Sequence, residues 1–445
     1  MSQFFSISSP VQFAGPDSLD PLSYKYFHPD RVIEDRTMIE HIRPAVAFWH
    51  TLVGTGSDPF GPGAQRPSWP TVANNREEAS LRLDAGFELL NLLGIPFFCF
   101  HDTDLIKTTS SFSEYEDEMD WLTEELQSRM KLSAKKCLWA TQNCFSHPRY
   151  MEGASTACSF DVFTYAAAQT ERALRCGFEL GAENHVFWDG RGGYSILQNR
   201  DIGADLDHKA ALLKMAVSYA AELQWDVQFL IEPKPKEPTT LQFDSDVPSC
   251  YAFLQHYGLE KDFQFNIEDN HATLAGHSFA FELAYARERG MLGSIDANQG
   301  HSQLGWDTDH MPYCGRNAAL AWIEILAAGG FDQGGTNFDA KVRRESVEPD
   351  DRICGHVLAL DTYALGLMTA AQLRKEGLLQ EFIEERYRSW SSELANSVSL
   401  GEASFEQMRQ HVLALGGETP LLASGKEEVV EQMITGAMVR AVRLI

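Results

Sequence analysis

Short, continuously apolar stretches alternate with amphipathic helical stretches eight times across residues 45–373. The predicted strands are 45–51, 97–101, 137–143, 185–188, 227–232, 263–268, 292–296 and 334–339. Helical periodicity follows each, at 75–93, 114–135, 156–180, 204–223, 247–257, 273–289, 316–328 and 351–373. A strand that alternates in and out has one wet face, whereas a strand apolar throughout is covered on both sides, as in a parallel sheet sheathed by helices. Eight such units predict an α/β fold, a closed parallel (β/α)8 TIM barrel. An open doubly wound sheet is the alternative, but no GxGxxG follows any strand.

Residues 1–44, rich in Ser, Pro and aromatics, read as an N-terminal extension with a short helix near 35–42. Residues 374–445 show helices only, at 380–389, 405–415 and 427–443. Their apolar positions (Phe382, Tyr387, Trp390, Leu413, Val429, Met433) need a surface to cover, so this C-terminal helical arm is expected to serve oligomer contacts.

The net charge of −26 disfavours nucleic acid and anionic membrane as partners. The eight cysteines form no CxxC pair and most lie in apolar runs, which predicts reduced, buried thiols in a cytoplasmic protein. The first residues lack the basic and continuously apolar regions of a secretory signal, and no apolar run reaches the roughly 20 residues of a membrane span.

In a parallel barrel the C-terminal strand ends form the active face. Here they carry Trp49 and His50, then His101 with Asp102 and Asp104, then Thr141 and Asn143, then Trp188 and Asp189. The later strands end on Glu232 and Lys234, Glu268 and His271, Asp296 with Asp307 and Asp309, and Asp339 with Lys341. A single Asp at such a place is commonly a helix cap. Acidic residues at four consecutive strand ends are not explained by capping. Glu232, Glu268, Asp296, Asp307, Asp309 and Asp339 bring six negative charges to one mouth, and such a cluster ionises only against counter-charge. Two divalent ions plus Lys234 nearly balance it. Carboxylates with one or two imidazoles and no thiolate favour Mg²⁺, Mn²⁺ or Co²⁺ over structural zinc. His101 and Asp104 form a second unit, in which the carboxylate holds one imidazole tautomer and leaves the other nitrogen free for proton exchange. Trp and Phe faces at the same mouth suit the C–H faces of a sugar. His50 and His277 read as hydrogen-bonded structural residues.

These residues lie in longer stretches: FWHTLVGTGSDPFG (48–61), FCFHDTD (98–104), VFWDGRGGY (186–194), IEPKP (231–235), NIEDNHATLAGH (266–277), GSIDAN with LGWDTD (293–309) and NFDAKVRR (337–344). With them the chain resembles the xylose isomerases, in the longer class with an N-terminal extension. The resemblance implies a homotetramer and two divalent metal ions per subunit, Mg²⁺ foremost. It implies D-xylose to D-xylulose conversion, and D-glucose to D-fructose, by a metal-assisted 1,2-hydride shift after ring opening. By motif, Glu232, Glu268, Asp296 and Asp339 would hold one metal, and Glu268, His271, Asp307 and Asp309 the other. His101, oriented by Asp104, would assist ring opening, and Lys234 would hydrogen-bond the aldehyde oxygen. Trp49, Thr141, Phe145 and Trp188 would bind substrate, with Phe60 inserted from a partner subunit. The chain departs from the family pattern at Asp189 and Gly192, where WDGRGGY replaces WGGREGY, and at Gln299 and Thr336. A metal-dependent phosphoesterase or endonuclease on a similar barrel is the competing reading; it would want more histidine ligands and a basic surface.

Overall fold

The computed structural model describes residues 3–71, 75–418, 422 and 424–443. Eight parallel strands close into a barrel: β1 (Pro44–Ala47), β2 (Phe97–His101), β3 (Lys136–Thr141), β4 (Asn184–Phe187), β5 (Gln228–Ile231), β6 (Phe263–Glu268), β7 (Leu292–Asp296) and β8 (Thr336–Phe338). Each strand pairs with its sequence neighbours, and β8 closes on β1 with Asn337 opposite Ala45. The helices outside are α1 (Arg76–Leu93), α2 (Phe112–Ser133), α3 (Phe160–Glu179), α4 (Ile202–Glu222), α5 (Val247–Tyr257), α6 (Phe279–Glu288), α7 (Gly315–Ala327) and α8 (Pro349–Glu376). Side chains open several of them in the expected way: Ser111 accepts from Glu114 N, Asp201 from Ala204 N and Asp246 from Ser249 N.

Each strand sends alternate residues to two cores. Phe48, Phe98, Phe100, Phe187, Phe229, Phe265, Ile267 and Phe338 pack outward into the layer shared with the helices. Ala45, Phe97, Cys99, Trp139, Val186 and Leu230 fill the barrel interior, with Trp49 resting on them. Two residues beyond four of these inward positions come His101, Thr141, Trp188 and Glu232, so the inward row runs on into the mouth.

Two predicted elements differ. The first strand stops at Ala47, and Trp49–Val53 form a π-helical turn. On a strand, Trp49 and His50 would face opposite ways; on the helical turn both reach the mouth. The helix predicted over 273–289 is two: Asp269–Ala275 ends at Gly276, whose φ of +81° suits glycine, and α6 restarts with Ser278 accepting from Phe281 N.

The N-terminal segment lies on the barrel's outside. Asp361 of α8 accepts from the backbone N–H groups of Lys25, Tyr26 and Phe27, and the Tyr24 hydroxyl donates to Leu93 O at 2.7 Å. A short helix does occur there, at Met38–Ile42. By length and composition α8 could cross a membrane, but 78% of its most apolar window is buried inside the protein, as befits a core helix. Beyond it run α9 (Leu378–Tyr387), α10 (Glu393–Ser399), α11 (Phe405–Ala414) and α12 (Glu427–Val442). α12 is anchored through Ile434 and Ala437 against Leu373. All eight cysteines are free. Cys99, Cys137, Cys176 and Cys250 are buried as expected, whereas Cys158 is exposed, because it lies in the loop before α3 rather than in a strand or a helix interior.

The close crossing of α7 and α8 depends on Gly366. A methyl group there would lie 2.6 Å from the Ala318 carbonyl carbon and 2.7 Å from its Cβ. Gly366→Ala gains about 1 kcal/mol of helix propensity, but overpacking against backbone costs about 1–3 kcal/mol. The expected result is a lower urea midpoint; a higher one would mean that the two helices separate freely.

Candidate metal centre and sugar site

The C-terminal mouth is a cavity of about 930 Å³ lined by residues from all eight strand–loop units. Oxygens of Glu232, Glu268, Asp296 and Asp339 lie within 4.8 Å of one another, as do those of Glu268, Asp307 and Asp309. Glu232, Glu268 and His271 form a third such group. All seven predicted ligands are therefore brought together, with Glu268 in every group. His271 Nε2 lies 3.0 Å from Asp307 Oδ2 and 3.3 Å from Glu268 Oε2.

Burial drives the Glu232, Glu268 and Asp296 carboxyls well above the usual carboxylate range, and neighbouring carboxylates add to it, led by Asp296 for Glu232, Asp307 for Glu268 and Asp339 for Asp296. Asp309 goes the other way: burial opposes ionisation, but Lys341 at 2.9 Å and His50 at 3.2 Å hold it well below the usual range. His50 also lies 3.0 Å from Asp339. Burial alone would lower its pKa, but Asp339 and Asp309 raise it to about 9. His50, expected at the mouth as a hydrogen-bonded structural residue, is hydrogen-bonded there to two of the candidate ligands.

Asparagines orient the acids. Asn266 donates to Asp296 at 2.8 Å and Glu232 at 3.1 Å, Asn337 to Asp296 at 2.8 Å, and Asn298 to Glu268 at 2.7 Å and Asp309 at 3.2 Å. The sequence signal for Asn266 and Asn337 was a polar residue at an inward position of a buried strand. Hard oxygen donors with one imidazole, held by fixed N–H groups and too crowded to ionise alone, fit divalent cations.

The other side of the mouth is aromatic. Trp49 lies edge to His101 at 4.6 Å and packs on Trp139 at 5.1 Å, and Phe145 meets Trp188 at 4.4 Å. Trp139, in the interior row of β3, opens on the cavity. Asp104 accepts from His101 Nδ1 at 3.2 Å and from His101 N at 2.7 Å, fixing ring and backbone together. Burial works against protonation of His101, but Asp104 raises its pKa. Asp102 serves instead as a link, accepting from Tyr115, Gln169 and the Asn143 backbone. Lys234 donates to Asp307 at 2.8 Å and stands 5.1 Å over the Trp188 ring. Burial disfavours its charge, but Asp307 and Glu237 hold it protonated. The Thr141 hydroxyl donates to Val186 O, so its proton is committed to the backbone. Phe60 stands at the cavity rim against Trp306 at 5.8 Å, with 81% of its surface exposed in the single chain.

Fold and mouth together define a (β/α)8 barrel protein with an aromatic wall facing a carboxylate cluster able to hold divalent cations. A protein described as xylose isomerase from Thermotoga neapolitana is 47% identical over 443 residues, covering 99% of both chains. One of the same description from Geobacillus kaustophilus is 48% identical over 416 residues, 94% of this chain and 93% of that one. The chain belongs to the xylose isomerase family. The XylA2 C-terminal domain model matches residues 383–438, within the helical tail. A solved L-ribulose 3-epimerase shares the barrel fold, with a TM-score of 0.50 at 13% identity over 76% of this chain and 97% of that one.

Because the Glu232, Glu268 and Asp296 carboxyls are raised, a cation must displace protons to bind. After chelator treatment, Mn²⁺ affinity measured by calorimetry should weaken as pH falls from 8 toward the ordinary carboxylate range. The slope should be on the order of tenfold per pH unit for each proton displaced. Affinity unchanged over that range would mean the acids ionise unaided.

Proposed function

We propose that the protein interconverts D-xylose and D-xylulose, and D-glucose and D-fructose, by a 1,2-hydride shift after ring opening. The observation that carries this is one cavity holding two carboxylate groups joined at Glu268 beside a His101–Asp104 pair, Lys234 and the aromatic wall of Trp49, Trp139, Phe145 and Trp188. Together with family membership, it leaves nothing that favours a phosphoesterase.

Glu232, Glu268, Asp296 and Asp339 would hold one divalent ion and Glu268, His271, Asp307 and Asp309 the other, Mg²⁺ foremost, with Mn²⁺ or Co²⁺ as alternatives. When bound, the ions supply Lewis-acid polarisation of the sugar oxygens. The chain's own groups do the rest. Trp49, Phe145 and Trp188 cover the sugar's C–H faces and exclude water from the carbons between which hydride moves. Thr141 supports that wall through its backbone bond to β4. His101, its Nδ1 held by Asp104, presents Nε2 to exchange a proton with the ring oxygen on opening. Lys234, kept cationic by Asp307 and Glu237, donates to the aldehyde oxygen. Asn266, Asn298 and Asn337 keep the acids in place throughout.

Residues 45–373 form the catalytic unit and 374–445 an arm that contacts other subunits of a homotetramer in the cytoplasm, with Phe60 reaching a neighbour's mouth. Exposed Phe405, Leu413 and Trp390 in the arm, and Phe60 at the rim, support this.

The direct test is xylulose formation in EDTA and after add-back of Mg²⁺, Mn²⁺ or Co²⁺. Activity should vanish and return, and Glu268→Gln should cost more than about 100-fold, since it removes a shared ligand rather than an outer support. No ketose under any metal, or a near-normal rate for Glu268→Gln, refutes the assignment. Sedimentation equilibrium should give four chains, and Phe405→Glu with Leu413→Glu should shift the species to smaller ones; an unchanged tetramer would clear the arm of that role.

A further inference from the structure

The turn after β4 holds more buried charge than a wall needs. Asp189 follows Trp188, yet its carboxylate lines a separate small cavity shared with Trp188, Cys144 and Lys209. Asp189 Oδ2 accepts from Ser155 Oγ at 2.8 Å and lies 3.9 Å from Lys209 Nζ. Lys209, on α4, is buried and donates to buried Asp244. The backbone carbonyl of Asp244 in turn accepts from Lys234 N at 2.7 Å. A chain of contacts thus runs from the residue behind Trp188 to the backbone that carries Lys234. The same two loops are laced by a small sheet, Gly193–Tyr194 against Leu241–Gln242, and by Gln242 Nε2 donating to Gly190 O at 2.9 Å.

Burial disfavours the Lys209 charge, but Asp244 and Asp189 overcome it and hold the ammonium protonated; burial likewise raises the Asp189 carboxyl, which Lys209 and the Ser155 hydroxyl counter. Burying such an array costs desolvation, and well-packed apolar side chains often fill such a space as stably. Placement is what an ionic array supplies that apolar packing does not. The turn is fitted to it. A methyl group at Gly190 would lie 2.7–3.0 Å from three carbons of the Trp188 ring. One at Gly192 would lie 2.1 Å from Asp189 Oδ2 and 2.3 Å from its Cγ. The Asp189 carboxylate therefore occupies the space where a side chain at 192 would begin, and the two positions form one unit. They are also the two positions at which WDGRGGY departs from the pattern described above.

We propose that Asp189 is a positioning residue of the sugar site: seated over Gly192 and facing Lys209, it fixes the Trp188 ring relative to the Lys234 ammonium. The proposal rests on the isomerase reading for its kinetic consequences. It predicts that a carboxylate in this turn can be moved from 189 to 192 only if both positions change.

The test compares wild type, Asp189→Asn, Asp189→Gly, Gly192→Ala and the double variant Asp189→Gly with Gly192→Glu. The readouts are kcat and KM for D-xylose, the calorimetric Kd of xylitol, the polyol of the same carbon chain with no carbonyl to isomerise, and Tm. Asp189→Asn and Gly192→Ala should raise KM and the xylitol Kd by about 5- to 20-fold while kcat falls less, the signature of a displaced binding wall. The double variant should return both constants to within about threefold of wild type, whereas Asp189→Gly alone should not. A lowered Tm with unchanged KM and Kd would overturn the proposal, as would a double variant no better than Asp189→Gly. If Gly192→Ala fails to fold, the isosteric Asp189→Asn decides. A wild type that binds xylitol but makes no xylulose removes the isomerase reading and leaves the Kd ratios to judge the positioning; one that does neither overturns both.

Discussion

Mutual repulsion among buried carboxylates is the constraint around which this barrel is built. Two like charges 4 Å apart cost roughly 4 kcal/mol at an effective dielectric constant of 20. The mouth gathers six, most of them buried. An untethered loop carrying such groups would swing them into solvent. Glu268 and Asp296 end paired strands and Glu232 and Asp339 follow directly on strands, whereas Asp307 and Asp309 lie in the loop after β7 and are held by Lys234, Asn270, Lys341 and His50. The closed barrel thus supplies the rigidity that repulsion demands, and the amides of Asn266, Asn298 and Asn337 and the cations Lys234 and Lys341 lower the charge density until a divalent ion completes the balance.

What was legible in the sequence follows from the same geometry. Inward residues recur every second position, so a strand ending on Glu232 or Glu268 points that carboxylate at the axis whatever the helices outside are doing. That is why the acids could be gathered from linear motifs. His50 could be placed at a strand end, but its pairing with Asp309 and Asp339 could not be read, because strand alternation assigns it to the face opposite Trp49 and only the π-helical turn brings both inward. Lys341 could be placed at a strand end, but its pairing with Asp309 depends on two loops meeting, through the Lys341 N–H to Asp309 O bond at 2.7 Å. The break at Gly276 was hidden because apolar periodicity continues across it. Phe60 packs its ring on Trp306 and leaves most of its surface exposed in the single chain.

The barrel interior is also divided along its circumference, and that division prepares the site. From β1 to β4 the inward row is Ala45, Phe97, Cys99, Trp139 and Val186, apolar and partly aromatic. From β6 to β8 it is Asn266, Ser294 and Asn337, all buried and hydrogen-bonded. The first half continues upward into Trp49, His101 and Trp188, the second into Glu268, Asp296 and Asp339. A polyhydroxylated chain between them meets apolar faces on one side and oxygen-binding groups on the other, which is how a sugar presents itself.

Such a division leaves two seams, and each is closed by a tryptophan touching a charge. Between β8 and β1, the Trp49 indole N–H donates to Asp339 at 2.8 Å, so one wall ring is tied directly to a candidate metal ligand. Between β4 and β5, no hydrogen bond joins Trp188 to the charged half among the described residues. The contact is Lys234 over the ring at 5.1 Å, a softer and less directional interaction. A hydrogen bond fixes both distance and angle; a cation over a ring fixes neither well. The second seam therefore needs its spacing set from outside the cavity. The Asp189–Lys209–Asp244 array stands where that support is required, linking the turn behind Trp188 to the backbone of Lys234.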